Sequence, residues 1–131
     1  MKIVRTYATS ANIGPGFDCL GICFDIYNEY AFEKSSKYEL VGFHKNYSKP
    51  KYNLIISAYE KVFDIKNKKL EYIKLTEVVK NIPNSRGLGS SASCIVAGIL
   101  IANEILGNIL DKDEIFQIAS SIEGHPDNVA P

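Results

Sequence analysis

The sequence lacks several features that mark particular classes of protein. Its 131 residues include no tryptophan, one methionine and only three cysteines, Cys19, Cys23 and Cys94. An odd number of cysteines without a CxxC pair indicates neither a disulfide framework nor a zinc site. Reduced thiols are typical of the cytoplasm, so we expect a cytoplasmic protein that folds around a hydrophobic core.

Net charge and long apolar runs are also missing. Fifteen basic residues balance fifteen acidic ones, which disfavours a nucleic-acid partner held by a large basic surface. The longest apolar stretch, 94–106, is interrupted by Asn103 and Glu104 and is too short to span a bilayer. Because 46% of the residues are hydrophobic, we expect one compact domain over residues 1–131, with neither nucleic acid nor membrane as a partner.

Hydrophobic patterning predicts strands interleaved with helices. Strands are predicted at 2–8, 22–33 and 70–79, with 38–43 as a partner for the second, and 45–51 reads as a loop. Asn53 is a predicted N-cap, and helical spacing follows it. The apolar positions of that helix are Ile55, Ile56, Tyr59, Val62 and Phe63.

Two further helices are predicted in the second half of the chain. The first, 91–106, is apolar nearly all round and should be buried. The second starts at Asp111, which stands three residues before Glu114 like a capping box. Leu110 and Ile115 are placed to form a hydrophobic staple, and Gly124 is placed to end the helix. The predicted core positions are Ile115, Ile118, Ala119 and Ile122. The interleaving predicts an α/β or α+β fold with helices on one face of a sheet.

A glycine- and serine-rich segment before the 91–106 helix is the strongest chemical signal. Glycines let backbone N–H groups converge on an anion, and the N-terminus of the next helix also favours phosphate. The segment is not a Walker A sequence, because it lacks the Gly-Lys-Ser/Thr ending. A tight strand-to-helix turn with serine caps is the alternative interpretation. Its residues are Pro83, Asn84, Ser85, Arg86, Gly87, Leu88, Gly89, Ser90, Ser91 and Ala92.

Two other polar clusters lie near the ends of the chain. Asn12 and Asp18 stand six residues apart in a loop between two predicted strands, where they either bind a ligand or only bond the backbone of an ordinary turn. After the last helix come Glu123 and a group of polar residues, and a carboxylate there could hold magnesium. That group is His125, Asp127 and Asn128. His44, alone in a polar stretch, is predicted to lie on the surface.

The three clusters, in this order, resemble the N-terminal motifs of homoserine kinases, which are GHMP kinases. The first is similar to Ala-Thr-Ser-Ala-Asn-x-Gly-x-Gly-Phe-Asp and lacks the Gly-Glu-His ending of mevalonate kinases and galactokinases. The second is similar to the shared nucleotide loop, Pro-x-x-x-Gly-Leu-Gly-Ser-Ser-Ala, and the third to His-x-Asp-Asn-Val-Ala-Pro. The resemblance implies an α+β fold like the second domain of ribosomal protein S5, a mixed sheet with helices on one face.

The resemblance also implies what the site residues do. ATP would be bound by residues 83–92 and its adenine approached by Asn53, with Mg²⁺ held by Ser91 and Glu123. L-Homoserine would be gripped by Asn12, Asp18, His125 and Asn128, with Asp18 pairing with the ammonium group. Phosphoryl transfer needs mainly positioning and charge neutralisation. Catalysis without a dedicated base is favoured, because Asn128 accepts a proton poorly and the neighbouring Asp127 can point elsewhere.

The implied whole enzyme is a cytoplasmic homodimer of threonine biosynthesis, about twice as long as this chain. Residues 1–131 would be its N-terminal ATP-binding domain, and the C-terminal GHMP domain would be absent. The acceptor carboxylate then lacks an arginine, so the chain alone is expected to be inactive. Three alternatives stay open: a GHMP kinase for another small alcohol, a non-catalytic truncated nucleotide-binding domain, and an S5-like RNA-binding module.

Overall fold

A computed structural model describes residues 1–10, 22–81 and 90–123 of the chain. These residues form four strands and three helices in the order β-β-β-α-β-α-α, and the segment predicted as a loop at 45–51 overlaps two single 3₁₀ turns. The elements are β1 (Lys2–Ser10), β2 (Ile22–Lys34), β3 (Glu39–Val41), α1 (Leu54–Ile65), β4 (Ile73–Lys80), α2 (Ser90–Ile105) and α3 (Lys112–Glu123). The predicted elements are therefore confirmed, with shifts at their ends.

The strands form one mixed sheet in the order β1-β2-β4-β3. β1 and β4 each pair antiparallel with β2, whereas β3 pairs parallel with β4. The prediction that 38–43 pairs with the second strand was wrong, because β4 lies between them. α1 connects β3 to β4 as a crossover, which brings β4 back parallel to β3 and beside β2. Alternation of apolar and polar residues identifies a strand, but it does not identify which strand will pair with it.

β4 starts three residues later than predicted, at the residue that pairs with the end of β2. The hydroxyl of Tyr59 in α1 donates to the carbonyl of Glu71 at 2.6 Å. The carbonyl of Tyr72 accepts from the backbone N–H of Ser35 at 2.9 Å, just beyond the end of β2. The ladder with β2 begins only at Ile73.

The core lies between one face of the sheet and the three helices. Tyr30 and Phe32 of β2 and Ile73 and Leu75 of β4 are buried there against apolar residues of the helices. Ile3 on β1 is 61% exposed, on the opposite face of the sheet from that core. The α+β fold, with a mixed sheet and helices on one face, is thus confirmed.

Helix α1 begins where its N-cap was predicted. The side-chain oxygen of Asn53 accepts from the backbone N–H groups of Ile55 at 3.0 Å and Ile56 at 3.3 Å. All five predicted core positions of this helix are buried. α1 packs closely on α2, where a Cβ at Gly98 would lie 2.3 Å from the carbonyl oxygen of Ile55. Glycine is therefore required at this crossing.

Helix α3 has the predicted capping box. The N–H of Glu114 donates to the carboxylate of Asp111 at 2.8 Å, and the N–H of Asp111 donates back to Glu114 at 3.4 Å. Ile118 and Ala119 are buried, while Ile115 and Ile122 are half-buried against the same core. The predicted stop, Gly124, lies outside the described residues. His44 is exposed, as predicted, and its Nδ1 accepts from the N–H of Asn46.

Candidate functional site

The strand directions bring two of the predicted motifs to one end of the domain. β1 and β2 are antiparallel, and Ser10 at the end of β1 pairs with Ile22 at the start of β2. β4 is antiparallel to β2 in turn, and its last residue, Lys80, pairs with Asn28. The flanks of segments 11–21 and 82–89 therefore lie at the same end of the sheet.

The helices bring the third motif to that end as well. α2 runs antiparallel to β1, because Ser93 in its first turns lies 2.6 Å from Thr6 between the two hydroxyl oxygens, while Glu104 near its end pairs with Lys2. α2 and α3 pack together across a six-residue connection, 106–111, so α3 runs back along α2. Its last residue, Glu123, therefore ends near the start of α2. All three predicted motifs are attached to one end of the domain.

A cleft of about 250 Å³ opens at this end. The sheet forms its floor, the first turns of α1 and α2 form two walls, and the segment after β3 forms the third. The lining residues are Asn28, Tyr30, Phe43, Tyr47, Asn53, Leu54, Ile55, Glu77, Lys80, Ser91 and Cys94.

The walls of the cleft suit a ligand that is anionic at one end and apolar at the other. The N-termini of α1 and α2 both reach it, and helix N-termini carry partial positive charge and N–H groups without a partner in their own helix. Lys80 adds a positive side chain. The ring of Phe43 stacks on that of Tyr30 with 6.2 Å between centroids, which provides an aromatic wall.

The floor of the cleft carries polar groups that are kept neutral or costly to ionise. Burial raises the pKa of the Tyr30 hydroxyl far above its ordinary value, and it raises the pKa of the Cys94 thiol. Burial also raises the pKa of the Glu77 carboxyl, although the nearby Lys80 lowers it. Asn28 donates from Nδ2 to the Tyr30 hydroxyl at 3.2 Å. The floor thus offers hydroxyl, thiol, amide and carboxyl groups in a small space.

Three of the predicted site residues are described with their side chains. Ser91 is exposed in the first turn of α2 and lines the cleft. Ala92, 2% exposed, packs into the interior and has only its backbone to offer. Asn53 lines the cleft too, but its oxygen caps α1 and its Nδ2 donates to the Tyr47 carbonyl at 2.9 Å. The predicted adenine contact of Asn53 would have to use its remaining N–H.

The other predicted site residues are only partly described or not described. Ser90 is the first residue of α2 and Glu123 the last of α3, and both are described by their backbone. The rest lie outside the described residues and stay predictions: Asn12, Asp18, Pro83, Asn84, Ser85, Arg86, Gly87, Leu88, Gly89, His125, Asp127 and Asn128.

Sequence reasoning missed the residues that the sheet contributes to the cleft. Asn28, Tyr30, Glu77 and Lys80 carry no motif, and Cys94 reads as one more apolar position of a buried helix. Asn28 and Tyr30 are two apart on one strand, so a shared face was predictable. Which residues of β4 would lie opposite them was not, because that depends on register.

None of the helices in the three described segments is long and apolar enough to cross a bilayer. Comparison with known proteins shows the family. The family "GHMP kinases N terminal domain" matches residues 53–131, more than half of the chain. The chain belongs to the GHMP kinase family.

Individual relatives of this GHMP kinase chain carry a more specific name. A homoserine kinase of Clostridium botulinum (strain Alaska E43) is 46% identical over 129 residues, and one of Clostridium beijerinckii is 44% identical over 132. The crystal structure of a homoserine kinase from Cytophaga hutchinsonii superposes with a TM-score of 0.79 at 27% identity, covering all of this chain and 46% of that one. The match covers 98% of this chain but 43% of the C. botulinum protein, and 100% but 44% of the C. beijerinckii one. The chain thus spans less than half the length of these relatives.

Proposed function

We propose that the chain is the ATP-binding part of an enzyme that phosphorylates the hydroxyl of L-homoserine, giving O-phospho-L-homoserine for threonine synthesis. The single observation that carries the proposal is the cleft at the end of the domain where the flanks of all three motifs lie. The identity of the chain to homoserine kinases over nearly its whole length supports the choice of substrate.

We expect the nucleotide to lie in the cleft in one orientation. The triphosphate would lie at the start of α2, beside the Ser91 hydroxyl and the partial positive charge of the helix N-terminus, and the N–H groups of the glycine-rich segment would complete its site. Its base would then extend toward Phe43, Tyr47 and the start of α1. Asn53 would approach the adenine from that side.

Magnesium is part of the proposal, and the donor set fits it. Ser91, in the first turn of α2, would offer a hydroxyl oxygen, and Glu123, the last residue of α3, would offer a carboxylate. Mg²⁺ prefers oxygen ligands and is usually shared between a carboxylate and substrate phosphates. When bound, it would neutralise charge on the transferred phosphoryl group.

The acceptor site is assigned to the first and third motifs. Asp18 would pair with the ammonium group of homoserine, and Asn12, His125 and Asn128 would hold the rest of the molecule. Asn128 and the adjacent Asp127 are the candidates closest to the reaction, with Asn128 orienting the hydroxyl rather than removing its proton. Transfer then depends on alignment and charge neutralisation.

The whole enzyme would be a cytoplasmic homodimer in which a second domain completes the acceptor site. The N-terminal domain contains the proposed nucleotide cleft, so the 131-residue chain alone should bind ATP, though no tighter than high micromolar. It should turn over no homoserine, because the acceptor site is incomplete without the second domain. Another GHMP kinase activity is the competing function, since the cleft itself does not distinguish acceptors.

The test is ADP release by the whole protein that carries this chain, with ATP, Mg²⁺ and a panel of acceptors. We expect homoserine to be preferred over mevalonate, galactose and shikimate. A higher kcat/KM for any of those three would reject homoserine as the substrate and leave the nucleotide site standing. Absence of ADP release with every acceptor, together with no ATP binding, would reject the kinase itself.

A further inference from the structure

Asn28 joins the floor of the cleft to the point where the glycine-rich segment begins. Its Oδ1 accepts from the backbone N–H of Asn81 at 2.8 Å, and its Nδ2 donates to the Tyr30 hydroxyl at 3.2 Å. Asn81 directly follows β4 and directly precedes segment 82–89. A side chain on β2 therefore holds the backbone that leads into the proposed phosphate loop.

This hydrogen bond takes over where the sheet ends. Asn28 pairs with Lys80 in the antiparallel ladder, and Lys80 is the last residue of β4. The ladder is irregular just before this point, with a register shift between Glu29 and Tyr30. At Asn81 the backbone thus leaves the ladder close to this register shift. The side chain of Asn28 accepts its N–H, where a carbonyl of the neighbouring strand would do so in a regular ladder.

The surroundings of Asn28 make the bond strong and specific. Asn28 is only 3% exposed. If its side chain were removed, water could not readily replace it as the acceptor for the N–H of Asn81. The oxygen of the Tyr30 hydroxyl accepts from Nδ2 at 3.2 Å, while Oδ1 accepts from Asn81. The two ends of the amide therefore have different partners, and these set its orientation.

We propose that Asn28 is a positioning residue of the nucleotide site, acting through Asn81 on the start of the glycine-rich segment and on Lys80. The inference rests on the proposed function, because it assumes that the cleft binds ATP. Nothing in the sequence motifs marks Asn28. Its role follows from the register of β2 on β4 and from a hydrogen bond between residues 53 positions apart.

The chain offers a matched control at the opposite end of the domain. Asn103 is also buried, at 8% exposure, and its Oδ1 also accepts a backbone N–H, that of Leu110, at 2.9 Å. That bond ties the end of α2 to the start of α3, away from the cleft. Asn28→Ala and Asn103→Ala remove the same kind of bond, so they should lower thermal stability to a similar degree.

The experiment compares both variants with the parent in the whole protein that carries this chain. We expect Asn28→Ala to raise the KM for ATP roughly tenfold, from the loss of a buried hydrogen bond that orients the loop, with the KM for homoserine changing less than twofold. Asn103→Ala should leave both KM values within about twofold. If Asn28→Ala does not yield folded protein, Asn28→Ser and Asn103→Ser form a milder pair, with an expected ATP KM ratio of several-fold.

The possible outcomes distinguish the positioning role of Asn28 from the proposed kinase function. Equal ATP KM values for the Asn28 and Asn103 variants would overturn the positioning role while the kinase assignment stands. A parent protein that neither binds nor hydrolyses ATP would overturn the proposed function and the positioning role with it. An increase in ATP KM confined to the Asn28 variants supports both.

Discussion

Thr6 and Ser93 join the two halves of the candidate site through a buried pair of hydroxyl groups, with 2.6 Å between their oxygens. Thr6 lies on β1, which leads into the first motif, and Ser93 lies in α2, which follows the glycine-rich segment. The two residues are 87 positions apart in sequence. This hydrogen bond thus connects the strand that precedes the proposed acceptor segment to the helix that follows the proposed phosphate-binding segment.

A double-mutant cycle tests that connection. Thr6→Val and Ser93→Ala each leave a buried hydroxyl without this partner, and each should cost about 1–3 kcal/mol in the free energy of unfolding. The double variant should be less destabilised than the sum of the two, by about 1 kcal/mol, since the second change removes a group already left unpaired. Urea denaturation measures all four proteins. Additivity to within about 0.5 kcal/mol would show that the two hydroxyls do not interact.

Gly98 offers a test in which packing and helix propensity predict opposite signs. Alanine in a helix is favoured over glycine by about 1 kcal/mol, but a Cβ here would lie 2.3 Å from the Ile55 carbonyl oxygen and 2.9 Å from the Ala58 Cβ. We expect Gly98→Ala to destabilise the chain by about 1–3 kcal/mol, as overpacking does. Ser57→Ala, at an exposed position of α1, is the control and should be neutral or slightly stabilising. A stabilised Gly98→Ala would mean that the helices are not so close.

The carboxyl of Glu77 should make stability depend on pH in a predictable direction. Burial raises its pKa above the ordinary 4.5, so the folded chain binds this proton more tightly than the unfolded chain. The cost of the buried carboxylate is therefore present at neutral pH and disappears as the pH falls below 4.5.

Replacing that carboxyl by an amide isolates the effect. Glu77→Gln should melt at a higher temperature than the parent at pH 7, and the two curves should converge toward pH 4. Glu33→Gln, at an exposed position of β2, serves as the control. A difference between Glu77→Gln and the parent that stays constant across this range would exclude titration of Glu77 as its cause.

Asp18 is the predicted partner of the homoserine ammonium group. Asp18→Asn keeps the shape of the side chain and removes its charge, and a hydrogen bond to a charged group contributes about 1.5–3 kcal/mol. The KM for homoserine should therefore rise roughly 10- to 100-fold, with little change in the KM for ATP. Steady-state kinetics on the whole protein measure both, and an unchanged homoserine KM would remove Asp18 from the acceptor site.

Local signals in the sequence were sufficient for most of the fold. The Asn53 cap, the Asp111–Glu114 capping box and the burial of α2 each follow from residues close together in the chain. The neighbour of β3 did not, because strand pairing is decided by how α1 packs as a crossover. A local pattern contains no information about that choice.

The candidate site divides in the same way. The three motifs were recognisable because the polar residues and glycines of each lie close together in the sequence. Asn28 and Glu77 could not be found, since their place in the cleft depends on the register of β2 against β4 and on the shift between Glu29 and Tyr30. Asn53 shows the reverse case, where one predicted residue has its oxygen engaged in capping a helix.

The proposed function requires that ATP binds in the cleft at the start of α2. Amide chemical shifts of the ¹⁵N-labelled chain, recorded during titration with ATP and Mg²⁺, test it most directly because they detect weak binding residue by residue. We expect saturating shifts at Asn28, Ser91 and Cys94, with Asn103 and Asn108 at the opposite end unchanged. Shifts confined to that opposite end, or none at millimolar ATP, would contradict ATP binding in this cleft.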